Sequence, residues 1–294
     1  MTVERFEEYR DLLTGVSYRI LGSLTDAEDV VQEAWLRWSE VDASLVENDR
    51  AYLVRVVTRL SIDRLRRLKA RRESYVGSWL PELVVTPDVA EHVELAGSVE
   101  LALLVVLETL SPLERAVFVL REAFGLPYTE IGEVIGRSEA ATRQLARRGR
   151  EHVREGRPRF EVDLRLRREL TERFARAAMG GDLGALATMF AENASLISDG
   201  GGKARAPHRV IRGAGRVVRF LAAIATPEGS RKFMESVGAD PGDGLDMEIA
   251  DVNDAPALLV RVGGRPVTVF SLEMTDGLIS TVFIVANPDK LVHL

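Results

Sequence analysis

Cysteine is absent from the 294 residues, so disulfides, thiolate metal sites and a thiol nucleophile are excluded, and a reducing cytoplasm is the expected compartment. Histidine is scarce. His92, His152, His208 and His293 lack metal-ligand spacing, and neither a metal nor a cofactor is expected. Long apolar runs are missing as well. Nothing approaches 18 consecutive apolar residues, and the opening MTVERFEEYRDLL has no basic start followed by an apolar stretch, so the sequence predicts no membrane span and no signal peptide. Acid outnumbers base, 45 Asp and Glu against 39 Lys and Arg, and the net charge of -6 argues against indiscriminate nucleic-acid binding. Contact with phosphates depends on local charge, however, and that charge is unevenly spread. At this length two or three domains are expected.

The clearest local pattern is YTEIGEVIGRSEAATRQLARRGREHVR, residues 128 to 154. A first helix from Thr129 to Ile135 would face Ile131 and Val134 inward, Gly136 would end it, and Ser138 is a good cap for the next helix. In that second helix Thr142, Leu145 and Ala146 can pack back, while Arg143, Gln144 and Arg147 stay outside. These are the residue types that reach phosphates and base edges in a major groove. Ser138, Thr142, Arg143, Gln144, Arg147 and Arg148 are therefore the candidate groove-reading set. Taken alone, the same pattern also suits an ordinary surface helical hairpin.

A second basic segment runs from Arg50 to Arg72, with nine Lys or Arg against one acid, Asp63. It opens as an amphipathic helix with Leu53, Val56, Val57 and Leu60 at core spacing and Arg55, Arg59 and Arg66 outside. Its tail, RLRRLKARR, suits a nucleic-acid backbone or simply a solvated helix end. Upstream, Thr25-Asp26-Ala27-Glu28 has capping-box spacing and predicts a helix start at Asp26. The helix DAEDVVQEAWLRWSEV carries Val30, Ala34, Trp35 and Trp38 as an apolar stripe, with Asp29, Gln32, Glu33 and Arg37 opposite. Residues 1 to 75 thus read as all-helical. A linker is expected over 76–95, and its Trp79, Leu80 and Pro81 are costly to leave in water, so it should pack on something. Ser111-Pro112-Leu113-Glu114 then opens a further helix, and residues 96–157 form a four-helix module ending in the hairpin.

In this order, DAEDVVQEAWLRW, AYLVRVVTRLSIDRLRR, LSPLERAVFVLREAFGLPYTEIGEVIG and SEAATRQLARRGREHV resemble conserved regions 2 and 4 of sigma-70 factors of the extracytoplasmic-function class. The resemblance covers about the first 157 residues. It implies a non-enzymatic RNA polymerase subunit that directs the core enzyme to specific promoters. Asp29, Gln32, Glu33 and Trp35 would bind the clamp helices of the largest polymerase subunit, and region 4 would meet the flap. Arg55, Arg59, Arg64, Arg66, Arg67 and Lys69 would open and contact the -10 element, where members of the class flip out a base. The helix from Glu139 to His152 would read the -35 element. Arg59 departs from the pattern, since many members have Asn there, and the class's base choice does not carry over at that position.

Residues 160–294 are more than such a factor needs. A long helix, a Gly-Gly-Asp turn, a second helix containing Leu183, Leu186, Met189 and Phe190, and a strand are followed by a helix over about 213–225. Three short β-rich runs then follow, broken by Gly263-Gly264 and Asp276-Gly277, which are hairpin turns. The pattern predicts an α+β antiparallel meander curved over its helices and resembles the SnoaL-like, ketosteroid-isomerase-like cone. The expected fold is thus multidomain, two all-α sigma modules followed by this cone. Asp199, Gly200, Gly201, Gly202 and Lys203, with Asn287, Pro288, Asp289, Lys290 and Leu291 and the linker's Trp79, Leu80, Pro81 and Glu82, resemble the marks of sigma factors with a fused SnoaL-like domain. That resemblance implies an intramolecular contact of the domain with the linker and the sigma modules that modulates activity. Across this contact Asp199 could pair with Lys203.

Catalysis would need a base in an apolar cavity, for which Asp199, His208, Asp246 and Asp251 qualify by type, although all lie in glycine-rich or acidic segments. Another reading is a one-component regulator that binds DNA and senses a small molecule. It leaves the Arg50 to Arg72 segment and the acidic Trp helix without a task.

Overall fold

The computed structural model describes residues 2–85, 100–156, 163–240 and 243–294. Residues 86–95 of the expected linker, the start of the 96–157 module and the boundary near Phe160 lie outside the described residues. The chain divides into two compact units, one formed by Met1–Glu73 with Pro87–Arg157 and the other by Ser74–Thr86 with Pro158–Leu294. The segment after the basic helix therefore belongs with the C-terminal residues, far away in sequence.

The first unit is helical: α1 (Thr2–Glu7), α2 (Arg10–Leu21), α3 (Leu24–Ser39) and α4 (Asp49–Arg72), then α5 (Leu101–Leu107), α6 (Pro112–Phe118), α7 (Tyr128–Ile135) and α8 (Glu139–Gly156). The sequence places the start of α3 two residues late. Ser23 is the cap, its hydroxyl accepting the Asp26 N–H at 3.0 Å, because Ser23 holds the extended backbone a cap requires and Thr25 is already helical. Trp38 is fully buried, while Trp35 is half-buried and meets Phe6 edge-on at 5.2 Å. The capping box of α6 is complete, with the Glu114 N–H donating to the Ser111 hydroxyl at 3.3 Å and the Ser111 N–H donating to the Glu114 carboxylate at 3.1 Å.

Polar ties join α4 to the later helices of this unit. Arg115, fully buried, donates through Nε to the Arg19 carbonyl at 3.0 Å and pairs with Glu108, which also pairs with Arg72. Lys69 donates to the carbonyls of Glu108 at 3.1 Å and Leu110 at 2.5 Å. Its partial burial among Arg115 and Arg72 pushes its pKa down despite Glu108.

In the second unit α9 (Leu164–Gly180) and α10 (Leu183–Met189) precede β1 (Phe190–Asp199), β2 (Ile211–Arg212), α11 (Ala214–Ala225) and α12 (Pro227–Ser236). Four strands close the chain: β3 (Leu245–Val252), β4 (Ala255–Val262), β5 (Arg265–Thr275) and β6 (Leu278–Val285). The sheet order is β2-β1-β6-β5-β4-β3, with α9 against β4 and α11 against β1. It is mixed, since β1 runs parallel to β6 and every other pair is antiparallel. The meander has four strands where the sequence suggested three. β3, LDMEIADV, carries acids at alternate positions and lacks an apolar run, yet Asn253 and Asp254 at φ 51° and 53° make the same two-residue turn as Gly263-Gly264.

At Gly136, φ is +67° and a Cβ would meet nothing within 4 Å, so only backbone strain opposes a side chain there. Gly136→Ala should cost about 1–2 kcal/mol, measured as a lowered denaturant midpoint with an unchanged slope.

Candidate functional site

The hairpin of α7 and α8 is closely packed at its turn. Ile131 and Ala146 are buried between the helices, and Gly132 lies so close to the turn that a Cβ would fall 2.7 Å from the Arg137 carbonyl oxygen. Arg143, Gln144, Arg147 and Arg148 are exposed along α8. Arg143 pairs with Glu139, Arg147 with Glu151 at 3.3 Å and Arg148 with Glu114 at 3.2 Å. The first two pairs, exposed and one helical turn apart, contribute about 0.3–0.5 kcal/mol each, so phosphates can displace them easily, whereas the Glu114 carboxylate of the third is buried. Thr142 corrects the expected set. It is fully buried, its hydroxyl donating to the Ser138 carbonyl at 3.0 Å, and so holds the turn instead of facing a groove. Ser138 itself accepts the Ala141 N–H at 3.3 Å as the cap of α8.

Along α4 the basic residues are more committed. Arg59 donates to the carbonyls of Val134 at 2.8 Å and Glu133 at 3.0 Å, at the end of α7 where carbonyls lack helical partners. Arg64 bridges Asp26 and Asp29 at 2.5 and 2.8 Å, joining a residue expected to touch DNA to one expected to touch polymerase. Arg66 pairs with Asp63 at 2.9 Å and Arg67 reaches the Asp63 carbonyl at 3.4 Å. Arg55 is half-buried. On α3, Gln32 is exposed, and Glu33 pairs with Arg37 at 2.8 Å beside the half-buried Trp35.

The sharpest constellation lies in the second unit. Asp199 is fully buried at the end of β1, and its carboxylate accepts from four donors: the Tyr75 hydroxyl at 2.6 Å, the Leu80 N–H at 2.8 Å, the Gly201 N–H at 3.0 Å and the Lys290 ammonium at 2.5 Å. Lys290 also donates to the Leu80 carbonyl and sits 4.0 Å from the Trp79 ring centroid. The expected pairing of Asp199 with Lys203 is therefore wrong. Lys203 pairs at 2.6 Å with Asp289 on the surface, because the turn begun by Gly200 and Gly201 carries it away from the buried carboxylate. Gly201 has φ +61°, and a Cβ there would fall within 2.4 Å of Asn287. Asn287 in turn donates to the Tyr75 hydroxyl at 2.8 Å. Burial and the Asp199 bond together push the Tyr75 pKa up, so it remains a donor at any physiological pH.

Beyond Leu80 the segment continues as an added edge. Pro81, Glu82 and Leu83 are buried, Val84 and Asn253 exchange hydrogen bonds of 2.9 and 3.1 Å, and Val85 bridges Val252 of β3. The sequence marked Trp79 to Glu82, the glycine turn and residues 287–291, and the structure brings all three together. It missed Tyr75, which carries no signal at the end of a basic run. Asn253 could have been found from its turn-forming neighbour Asp254. Of the candidate bases, Asp251 pairs with Arg168 at 2.6 Å and Asp199 with Lys290, and neither offers a free carboxylate.

Comparison with known proteins places the chain in a family. The Sigma-70 region 2 model matches residues 5–72 and the Sigma-70, region 4 model residues 100–153. The chain is 37% identical over 298 aligned positions to the ECF RNA polymerase sigma factor SigJ of Mycobacterium tuberculosis, spanning 99% of this chain and 93% of that one. The chain is an ECF RNA polymerase sigma factor. The sigma factor also superposes on the crystal structure of M. tuberculosis SigJ with a TM-score of 0.77 at 34% identity, covering 99% of this chain and 98% of the other. It is 35% identical over 178 residues to the ECF RNA polymerase sigma factor SigG of M. tuberculosis, spanning 52% of this chain and 47% of SigG. Family membership assigns α1 to α4 to region 2 and α5 to α8 to region 4, and it displaces the one-component regulator reading. Among the described residues, no helix is long and apolar enough to cross a membrane.

Removing the Asp199 carboxylate leaves a buried ammonium uncompensated, a loss of about 3–5 kcal/mol. Asp199→Ala should therefore release the segment, and chymotryptic cleavage after Tyr75 or Trp79 should accelerate about 100-fold or more at protease levels where opening is fast.

Proposed function

We propose that the C-terminal unit of this sigma factor modulates promoter-directed initiation by gripping residues 75–85, the stretch that leads from region 2 toward region 4. The observation that carries this reading is the buried Asp199, two of whose four donors, the Tyr75 hydroxyl and the Leu80 N–H, come from the gripped stretch. A segment held by buried charge-assisted bonds cannot take up arbitrary paths between regions 2 and 4. Releasing or tightening it changes the spacings the two regions can span.

Within this reading α8 presents Arg143, Gln144, Arg147 and Arg148 to the -35 element. The α4 residues Arg55, Arg59, Arg64, Arg66, Arg67 and Lys69 engage the -10 element, and Asp29, Gln32, Glu33 and Trp35 meet the polymerase clamp, with region 4 against the flap. Arg59 and Lys69 now cap region 4 carbonyls, so binding DNA with them requires those bonds to exchange for phosphates. The cone acts here as a regulatory module and not as an enzyme, a reading supported by the pairing of Asp199 with Lys290 and of Asp251 with Arg168.

Run-off transcription with core polymerase tests both halves. Arg143→Ala with Arg147→Ala should remove promoter-dependent transcripts while co-purification with core polymerase persists, and retained transcription would discard the groove assignment. Tyr75→Phe with Lys290→Met weakens the grip without touching α8 or α4, and transcript yield should change about fivefold or more. Unchanged yield from a folded variant would discard the regulatory reading.

A further inference from the structure

Between Asp199 and Glu228 the chain carries six Lys or Arg and no acid, in a protein whose acids otherwise outnumber its bases. Two of the six are accounted for by their neighbours. Lys203 pairs with Asp289, and Arg205 lies beside α12, its N–H donating to the Ser236 hydroxyl at 2.9 Å. Arg209, Arg212, Arg216 and Arg219 remain, all exposed. Among the described residues no acid pairs with any of them, and the one side-chain bond they make is from Arg219 Nε to the Gly215 carbonyl at 3.1 Å, one turn back on its own helix. The basic residues that follow differ, since Arg231 pairs with Glu235 at 2.6 Å and Lys232 with Glu228.

The fold sets these four along one edge of the cone. β2 is the outermost strand, paired with β1 alone, and Arg212 stands opposite Ser195. Ile211 packs on the apolar core, which leaves Arg212 on the other face of the strand. Gly213 then starts α11, whose Val217, Val218 and Leu221 are buried. Arg216 and Arg219, three residues apart, share the opposite, solvent side of that helix. From Arg209 to Arg219 the row spans at most about 20 Å, three extended residues and about two turns of helix.

An edge strand often carries a charge simply to keep other strands away, and Arg212 alone would fit that role. Arg216 and Arg219 lie on a helix and have no edge to guard. A protein partner would need an apolar or aromatic centre to bury. Between Arg212 and Arg216 stand only Gly213, Ala214 and Gly215, and a Cβ at either glycine would meet nothing within 4 Å, so the surface is low, open and without an anchor. A row of guanidiniums without countercharge fits a nucleic-acid backbone, whose phosphates advance about 3.4 Å along the axis per strand, so that about five or six of them run beside the four arginines. We propose that this arginine edge binds the phosphate backbone of duplex DNA, giving the sigma factor a sequence-independent contact with promoter DNA outside regions 2 and 4. None of the four arginines is among the groups that hold residues 75–85, so the contact stands apart from the regulatory reading.

Fluorescence anisotropy of the full-length protein with a fluorescein-labelled mixed-sequence duplex, repeated across salt concentrations, reads the number of phosphates engaged. Arg209→Gln, Arg212→Gln, Arg216→Gln and Arg219→Gln together should make log affinity against log salt shallower by about 0.9 for each arginine that meets a phosphate. Raising salt from about 50 to 200 mM should then cost the native protein about 100-fold more affinity than the variant. The same four Arg→Lys changes should keep most of the slope. Equal losses of charge separate contact from net charge: Arg212→Gln with Arg216→Gln should flatten the slope by about two, whereas Arg165→Gln with Arg265→Gln, on α9 and at the start of β5, should leave it within about 0.5. Should the fourfold Gln variant fail to fold by circular dichroism, the Arg212 and Arg216 pair carries the test. A native slope in the folded Gln variant, or an equal loss in the control pair, would overturn the proposal. So would native duplex binding together with lost co-purification with core polymerase, which would assign the edge to a protein. Regions 2 and 4 are unaltered in every variant, so failure here leaves the sigma reading untouched.

Discussion

A carboxylate taken fully out of water must be compensated on every side, and Asp199 imposes that requirement on three stretches of chain at once. Lys290 supplies the countercharge, Gly201 a backbone donor, and residues 75–80 a hydroxyl and an N–H. Losing Lys290 strands a buried charge, and losing any neutral donor leaves the carboxylate short of a hydrogen bond. The path of the segment after region 2 is thus specified less by its own composition than by the electrostatics of a strand end more than a hundred residues away. Trp79 adds an aromatic face to the same ammonium, and Val84 extends the contact as a strand edge on β3.

Much of the helical half was legible because its signals are local. Gly136, Ser138 and the Ser111–Glu114 box fix helix ends within a few residues, and the apolar spacing of α3, α4 and α8 fixes their inner faces. The cone was legible in outline only. Its β-hairpins announce themselves through Gly263-Gly264 and Asp276-Gly277, but nothing local reveals that β1 pairs parallel to β6, since that partner lies some 80 residues on. β3 escaped notice because one acidic face hides its apolar alternation, and α12, PEGSRKFMES, lacks a strong stripe. The three motifs of the grip could be recognised singly. Their pairing could not, because the nearest lysine in sequence, Lys203, is on the wrong side of a glycine turn, whereas the partner in space is Lys290.

The basic helix illustrates how charge near neutrality overall is partitioned. Region 2 cations have partners within the chain: Arg59 and Lys69 donate to backbone carbonyls, and Arg64 spans two aspartates. Each such bond lowers the gain from meeting a phosphate, because the new contact replaces an old one. On the proposed reading, a chain of net charge -6 that also satisfies these cations internally should bind naked duplex only modestly and gain from contacts that polymerase adds. Region 4 differs, since Arg143 and Arg147 on α8 form exposed pairs with Glu139 and Glu151 of the same helix.

The division of the chain into units has a genetic consequence. The cone is made of two pieces, 74–86 and everything from 158 onward, separated in the gene by the whole of region 4. A stop codon near residue 160 would not produce a simple two-region sigma factor. It would uncover Leu80 and Leu83, each at most 1% exposed in the intact chain, and leave an apolar ribbon prone to self-association. Nor could the cone be moved to another sigma factor by joining it to the end alone, since the Val84 and Val85 contacts with the end of β3 and two donors to its buried acid would stay behind. The cone is interleaved in sequence with region 4, and recombination can exchange it whole only together with the residues between its two pieces.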